Sequence, residues 1–318
     1  FQHTGKDLVI KTPVTRDQRL VIEVEYAGTP EPVEAPVSRS DFSKIGWQTN
    51  DDGTTWTMQE PFGAFTWFAV NDQPSDKALY DFTLISDNHL VGVANGELVD
   101  ASVRGDTTTH RWHLADPASS YLTTVAFDDF VRTDGRSAGG VPITWWIPSD
   151  EQTMLKDYQE IVGLMAWAEE RLGPYPWPTL GVMMVDSDSA METQSMLTLG
   201  DSDYIRSKPV ILHELVHQWF GDLVTPSDWR DVWLNEGITT YIEARYAAES
   251  ENNAGRPRIK DWKSFDSALR REAGPPGDYD PEEFGSGNVY FSAGLMWSEI
   301  HDLVGEEAFW EMLRAWTQ

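Results

Sequence analysis

Hydrophobic and polar positions alternate with a period of two through the first half of the chain and change to a helical period near Pro148. RLVIEVEYAG sets Leu20, Ile22, Val24 and Tyr26 on one face, which predicts a strand. ALYDFTLIS does the same with Tyr80, Phe82 and Leu84. Asn95-Gly96, between VGVA and ELVD, predicts a tight hairpin whose turn needs positive φ. Asp51-Asp52-Gly53 and Gly139-Gly140 punctuate further turns, YLTTVAF predicts another strand, and EPVEAPV near residues 31 to 37 predicts a loop.

Beyond Pro148 the spacing becomes four and three. Met154, Tyr158, Ile161, Met165, Ala168 and Leu172 form an apolar helical stripe that Gly173-Pro174 ends. A short apolar strand, LGVMMV, follows the PYPWP turn. Helices are then expected around residues 210 to 220 and 235 to 248, with two closing helical segments. These elements predict an α+β protein: an antiparallel β domain over 1–146, then a mainly helical domain with a small sheet over 147–318.

Composition narrows the function classes. The 318 residues, 40% hydrophobic and including 15 Trp, suffice for two cores. A formal charge of −28, from 52 acids against 24 bases, argues against nucleic acid and anionic membrane surfaces as partners. With no cysteine, disulfides and thiolate ligands are excluded, and any metal must be held by His, Asp or Glu. No apolar run approaches the ~18 residues of a membrane span.

HELVHQWFGD, residues 213 to 222, carries the candidate chemistry. On a helical wheel Leu212, Leu215, Val216 and Trp219 share one arc and form the core face. His213 and His217 lie one turn apart on another arc, with Glu214 beside them. Two imidazoles at i and i+4 can converge on one tetrahedral ion while the neighbouring carboxylate reaches a water. Three satisfied polar residues on a partly buried helix would read the same way. WLNEGITTY decides between them: Glu236 follows His217 after eighteen intervening residues, in the first turn of the next helix. That completes a His₂Glu set and leaves a fourth position open, the pattern of a catalytic zinc site.

HELVHQWFGD, this gap and WLNEG together resemble the gluzincin zinc aminopeptidases, the family of aminopeptidase N and leukotriene epoxide hydrolase. SAMETQ, residues 189 to 194, is similar to that family's Gly-Ala-Met-Glu-Asn signature, and GNVYFSAGLMW to the segment with its catalytic tyrosine. EPFGAFTWFAVNDQPSDKALYDF resembles its amino-terminal β domain. The resemblance implies a saddle-like β domain, a thermolysin-like catalytic domain, one zinc ion on His213, His217 and Glu236, and peptide substrates with a free amino terminus. It implies that Glu214 is the general base and that Tyr290 stabilises the oxyanion. Glu192 would bind the substrate's α-ammonium, Ala190 and Met191 would line the substrate, and Glu60 or Gln59 would give a second contact to the amine.

Ser189, Thr193 and the run Phe291-Ser292-Ala293-Gly294 depart from the family's pattern, at positions that concern substrate binding more than metal chemistry. The resemblance also implies that the chain starts partway into the β domain and stops before the family's closing helices. Asp231 and Trp229 are candidates to brace a ligand histidine, Tyr241 is expected to pack, and His3, His89, His110 and His113 are expected at the surface. DSDS at 186 to 189 and DSD at 201 to 203 lack the glycine and distal glutamate of a calcium loop and are read as turns. A gluzincin endopeptidase and a zinc-binding scaffold without catalysis are the competing functions.

Overall fold

The computed structural model describes residues 1–36, 43–87, 89–250 and 259–318. Fifteen strands are assigned among the described residues. The first half contributes β1 (Gln2–Thr4), β2 (Asp7–Val9), β3 (Val33–Glu34), β4 (Lys44–Thr49), β5 (Thr55–Met58), β6 (Ala78–Asp87), β7 (Val91–Ala94), β8 (Glu97–Arg104), β9 (Thr107–Ala118) and β10 (Val125–Asp128). Then follow β11 (Phe130–Arg136), β12 (Pro142–Pro148), β13 (Leu180–Val185), β14 (Ala190–Met191) and β15 (Met196–Gly200). The helices are α1 (Leu155–Tyr158), α2 (Ile161–Leu172), α3 (Lys208–Val216), α4 (Val232–Glu249), α5 (Ile259–Ala273), α6 (Ala293–Val304) and α7 (Glu306–Trp316).

The β half holds an antiparallel sheet β3-β4-β5-β10-β7 and a three-stranded sheet β6-β9-β8, with β1 and β2 paired apart from both. A third sheet, β11-β12-β13-β15-β14, is parallel at its centre and antiparallel at both edges. This sheet crosses the position-146 division, because β12 pairs with β13. The α+β architecture is as expected.

Four local features differ from expectation. Residues 19–28 form no strand, and Ile22 and Tyr26 are 58% and 62% exposed. Alternation specifies a sheet face only where a neighbouring strand supplies hydrogen bonds, and the ladders of the described residues include none to this stretch. Asn95-Gly96 closes no hairpin: Gly96 has φ +86°, but β7 pairs with β10 while β8 pairs with β9. The pair is a corner between sheets, fixed by the Asn95 side chain, which donates to Leu122 O and Gln194 O and accepts from Thr124 N. The carboxy-terminal part holds three helices, α5 to α7, rather than two. EPVEAPV is a loop only in part, since Val33–Glu34 form β3, and Val37 lies outside the described residues.

The helical stripe is core. Tyr158, Ile161, Met165, Ala168 and Leu172 are buried, and Gly173 ends α2 at φ +94°. Every residue of β13 is buried, as a strand covered on both faces requires. Helix α3 packs against α2, α4 and β15. Leu212, Leu215, Val216 and Trp219 are at most 1% exposed. Each such side chain contributes about 1.5–3 kcal/mol by burial. Trp219 also donates its indole N–H to Pro174 O, 3.1 Å away. The segment carrying the histidine pair is therefore immobilised by its apolar side.

Candidate metal centre

Helix α3 ends at Val216, so His213 lies in its last turn and His217 caps it. The chain then reverses at Gly221, whose φ of +138° suits glycine and whose added Cβ would sit 3.2 Å from the His217 ring. Glu236 enters on the first turns of α4. The two Nε2 atoms are 3.2 Å apart, and Glu236 Oε2 lies 3.3 Å from that of His213 and 3.4 Å from that of His217. Three ligand atoms on the edges of a tetrahedron around a zinc ion stand about 3.3–3.5 Å apart, given bond lengths near 2.0–2.1 Å.

The outer nitrogens fix the tautomers. His217 Nδ1 donates to Phe220 O at 2.9 Å, and a carbonyl only accepts. His213 Nδ1 is 3.2 Å from the Glu243 carboxylate. With both rings neutral, as metal ligation requires, the Nε2 lone pairs face each other and a carboxylate oxygen, an arrangement that calls for a cation between them. The surrounding carboxylates favour positive charge at the same place. Burial alone would make His217 less basic, but Glu236, Glu192 and Glu214 outweigh it and raise it well above its ordinary value. Burial would raise Glu236, yet His217 and His213 hold it well below the usual carboxylate range. The residues present fit a small four-coordinate divalent cation with one position left open.

Further carboxylates converge here. Ligand atoms of Glu192, Glu214 and His217 lie within 4.8 Å of one another, and so do those of Glu60, Glu192 and Glu236. Burial pushes Glu214 up to about 7 and also raises Glu192. Glu192 is 3% exposed, and its Oε1 has no hydrogen-bond partner. All of these border a cleft of about 470 Å³ that Ser189, Ala190 and Tyr290 also line.

Tyr290 arrives by close helix packing. A Cβ on Gly237 would lie 2.4 Å from that of Ala293, so only glycine lets α4 meet the start of α6. The π-helical turn Asn288–Ser292 precedes that contact and sets the Tyr290 ring 6.3 Å from His213.

Of the sequence candidates, His213, His217, Glu236, Glu214, Glu192, Glu60, Ala190 and Tyr290 all line one cleft. Met191 does not. Its side chain packs with Ile45, Met58, Tyr121 and Leu122, because alternate strand positions face opposite ways. Gln59 is also turned away, donating to Ser120 O and Thr123 O and accepting from Trp67. Asp231 begins α4 and braces neither histidine; that part falls to Glu243 and the Phe220 carbonyl. The sequence holds a signal for Glu243, which follows Glu236 by two helical turns on one face. No side-chain pattern announces a carbonyl partner. Tyr241 is core, with its hydroxyl 2.6 Å from His301 Nδ1. His110, expected at the surface, is 6% exposed and accepts from Gly92 N. His113 is half-exposed and pairs with Asp81.

Comparison with known proteins gives the same assignment for both halves. Residues 157–318 match the peptidase family M1 domain, and residues 1–122 match the peptidase M1 N-terminal domain. Aminopeptidase N of Haemonchus contortus is 26% identical over 274 residues, 79% of this chain and 28% of that protein. Aminopeptidase N of Mus musculus is 32% identical over 209 residues, 58% of this chain and 22% of the relative. The chain thus spans about a quarter of the length of these relatives. The crystal structure of an M1 zinc metallopeptidase from Deinococcus radiodurans superposes with a TM-score of 0.79 at 26% identity, covering 91% of this chain and 66% of that one. Among the described residues no helix is long and apolar enough to cross a membrane. By its metal-ligand geometry, its sequence order and these matches, the chain belongs to peptidase family M1.

Proposed function

We propose that this protein is a zinc aminopeptidase, hydrolysing the first peptide bond of substrates with a free amino terminus. The observation that carries this reading is the adjacency of two carboxylates, Glu60 and Glu192, to the ligand Glu236, with carboxylate oxygens within 4.8 Å of one another. A substrate ammonium between Glu60 and Glu192 would place a positive charge beside two buried carboxylates. It would also fix the scissile carbonyl at one residue's distance from the chain end.

His213, His217 and Glu236 would hold the zinc. When bound, zinc supplies Lewis acidity, polarising the scissile carbonyl and acidifying water. Glu214 takes the proton of the attacking water and delivers it to the leaving amine. Tyr290 donates a hydrogen bond to the oxyanion that develops on the carbonyl. Glu243 holds His213 in the tautomer that leaves Nε2 free for the metal.

The cleft wall supports a substrate preference as well. Among the described residues its lining includes six glutamates and neither lysine nor arginine, so a substrate carboxylate side chain would meet no basic side chain there. Several relatives are named glutamyl aminopeptidase. This cleft suits neutral or basic first residues instead.

A free-amine peptide compared with its acetylated twin tests the reading. Cleavage confined to the free amine is expected, and equal cleavage of both would establish the endopeptidase alternative. Turnover of neither by zinc-loaded protein would favour the scaffold. Leucyl- and arginyl-arylamides should be hydrolysed far faster than the glutamyl compound; the reverse order would refute the preference.

A further inference from the structure

The turn after His217 is held from outside its own helix. Phe220 O accepts from His217 Nδ1 at 2.9 Å. The next three carbonyls accept from two residues of the amino-terminal β half. Gly221 O takes the Tyr121 hydroxyl at 3.3 Å, Asp222 O takes Lys77 Nζ at 2.6 Å, and Leu223 O takes the same ammonium at 3.3 Å. Lys77 and Tyr121 lie about 100 residues or more from this turn in sequence. Tyr121 is 1% exposed, and Lys77 is desolvated enough to lower its proton affinity despite the nearby Asp222. Such burial requires that both find their partners here.

The consequence concerns the metal ligand. The His217 ring is oriented by the Phe220 carbonyl, with Thr239 Oγ1 farther from Nδ1 at 3.4 Å. That carbonyl belongs to a turn held by its own backbone bonds and, from the β half, by Lys77 and Tyr121. We propose that Lys77 and Tyr121 are positioning residues for His217, so that the β half sets the geometry of a metal ligand contributed by the helical half. The inference rests on His217 being a zinc ligand. Loss of a ligand's direct hydrogen-bond partner costs about 10–100-fold in metal affinity, and residues one step further out act through that partner at the lower end of this range.

The test is zinc affinity, measured by competition with a chromophoric chelator, of the wild type, Lys77→Met, Tyr121→Phe and Lys77→Arg. Thermal unfolding of the zinc-free proteins is measured in parallel. The cobalt-substituted proteins add a visible spectrum that reports ligand geometry. Lys77→Met and the double variant with Tyr121→Phe should bind zinc about 10-fold more weakly and show an altered cobalt band. Lys77→Arg, which can still donate to two carbonyls, should restore most of the affinity. Phe82→Leu, in the β6-β9-β8 sheet, serves as a control that lowers stability without touching the turn.

Unchanged zinc affinity and cobalt spectrum in Lys77→Met and Tyr121→Phe would overturn the proposal, whatever their melting temperatures. So would a loss that Phe82→Leu reproduces at equal destabilisation. If Lys77→Met does not fold, the comparison of Tyr121→Phe and Lys77→Arg with wild type decides by the same criteria. Failure of the wild type to bind zinc would refute the aminopeptidase reading itself, a different outcome from zinc binding that ignores these residues.

Discussion

Helix α3 with the turn after it, and the stretch 19–28, each place four apolar residues at regular spacing, yet they have opposite fates. Leu212, Leu215, Val216 and Trp219 are 0–1% exposed, whereas Leu20, Ile22, Val24 and Tyr26 range from 39% to 62%. The helix satisfies its own backbone hydrogen bonds, so its apolar face needs only a surface to pack on. A strand depends on a neighbour for both its hydrogen bonds and its burial. Periodicity therefore predicted the helix from local sequence alone, and could not do the same for a strand whose partner lies elsewhere.

The largest effect should come from the site that the helix carries. Glu236→Ala removes one of the three proposed ligands and leaves two imidazoles without their carboxylate. Zinc affinity should fall by more than the ~10–100-fold typical of lost outer partners, as read by chelator competition. Affinity close to wild type would show that the cation sits on another set.

A pair of substitutions separates the packed helix from the exposed stretch. Trp219→Ala should cost about 3–5 kcal/mol in denaturant unfolding, through lost burial and a cavity. Ile22→Ser should stay within about 0.5 kcal/mol of wild type. A large loss from Ile22→Ser would mean that the 19–28 stretch is packed in solution.

A smaller effect is expected at Asp128, on β10, where burial raises the carboxyl to about 6. An acid with a raised pKa binds its proton more tightly when folded, so this contribution favours the native state near pH 4 and is lost as pH rises to 6. Asp128→Asn should flatten that decline, shifting the melting temperature by a few degrees or less because the group is only half-buried. Parallel melting curves from pH 4 to 7 for both proteins would contradict it.

Much of the site was legible because its members follow local rules. The i, i+4 histidines, Glu214 between them and the Glu236 that begins α4 all obey helical geometry, and Glu192 and Tyr290 came with a resemblance over quoted motifs. What escaped depends on long-range contact. Met191 faces a core assembled from four separate elements, Asn95 ties three distant carbonyl and amide groups, and Lys77 reaches a turn more than a hundred residues away. His110 was missed for a similar reason, since the opposite face of β9 is covered by strands from another sheet. Glu243 alone was within reach of sequence, seven residues after the proposed ligand Glu236.

Metal analysis combined with hydrolysis of leucyl-arylamide by the wild type and Glu214→Gln decides whether His213, His217 and Glu236 hold a zinc ion beside which Glu214 acts as base. About one zinc per chain is expected in both proteins, with a rate lower by ~10²–10⁴-fold in the variant. A wild-type protein without zinc, or a Glu214→Gln variant with full activity, would contradict it.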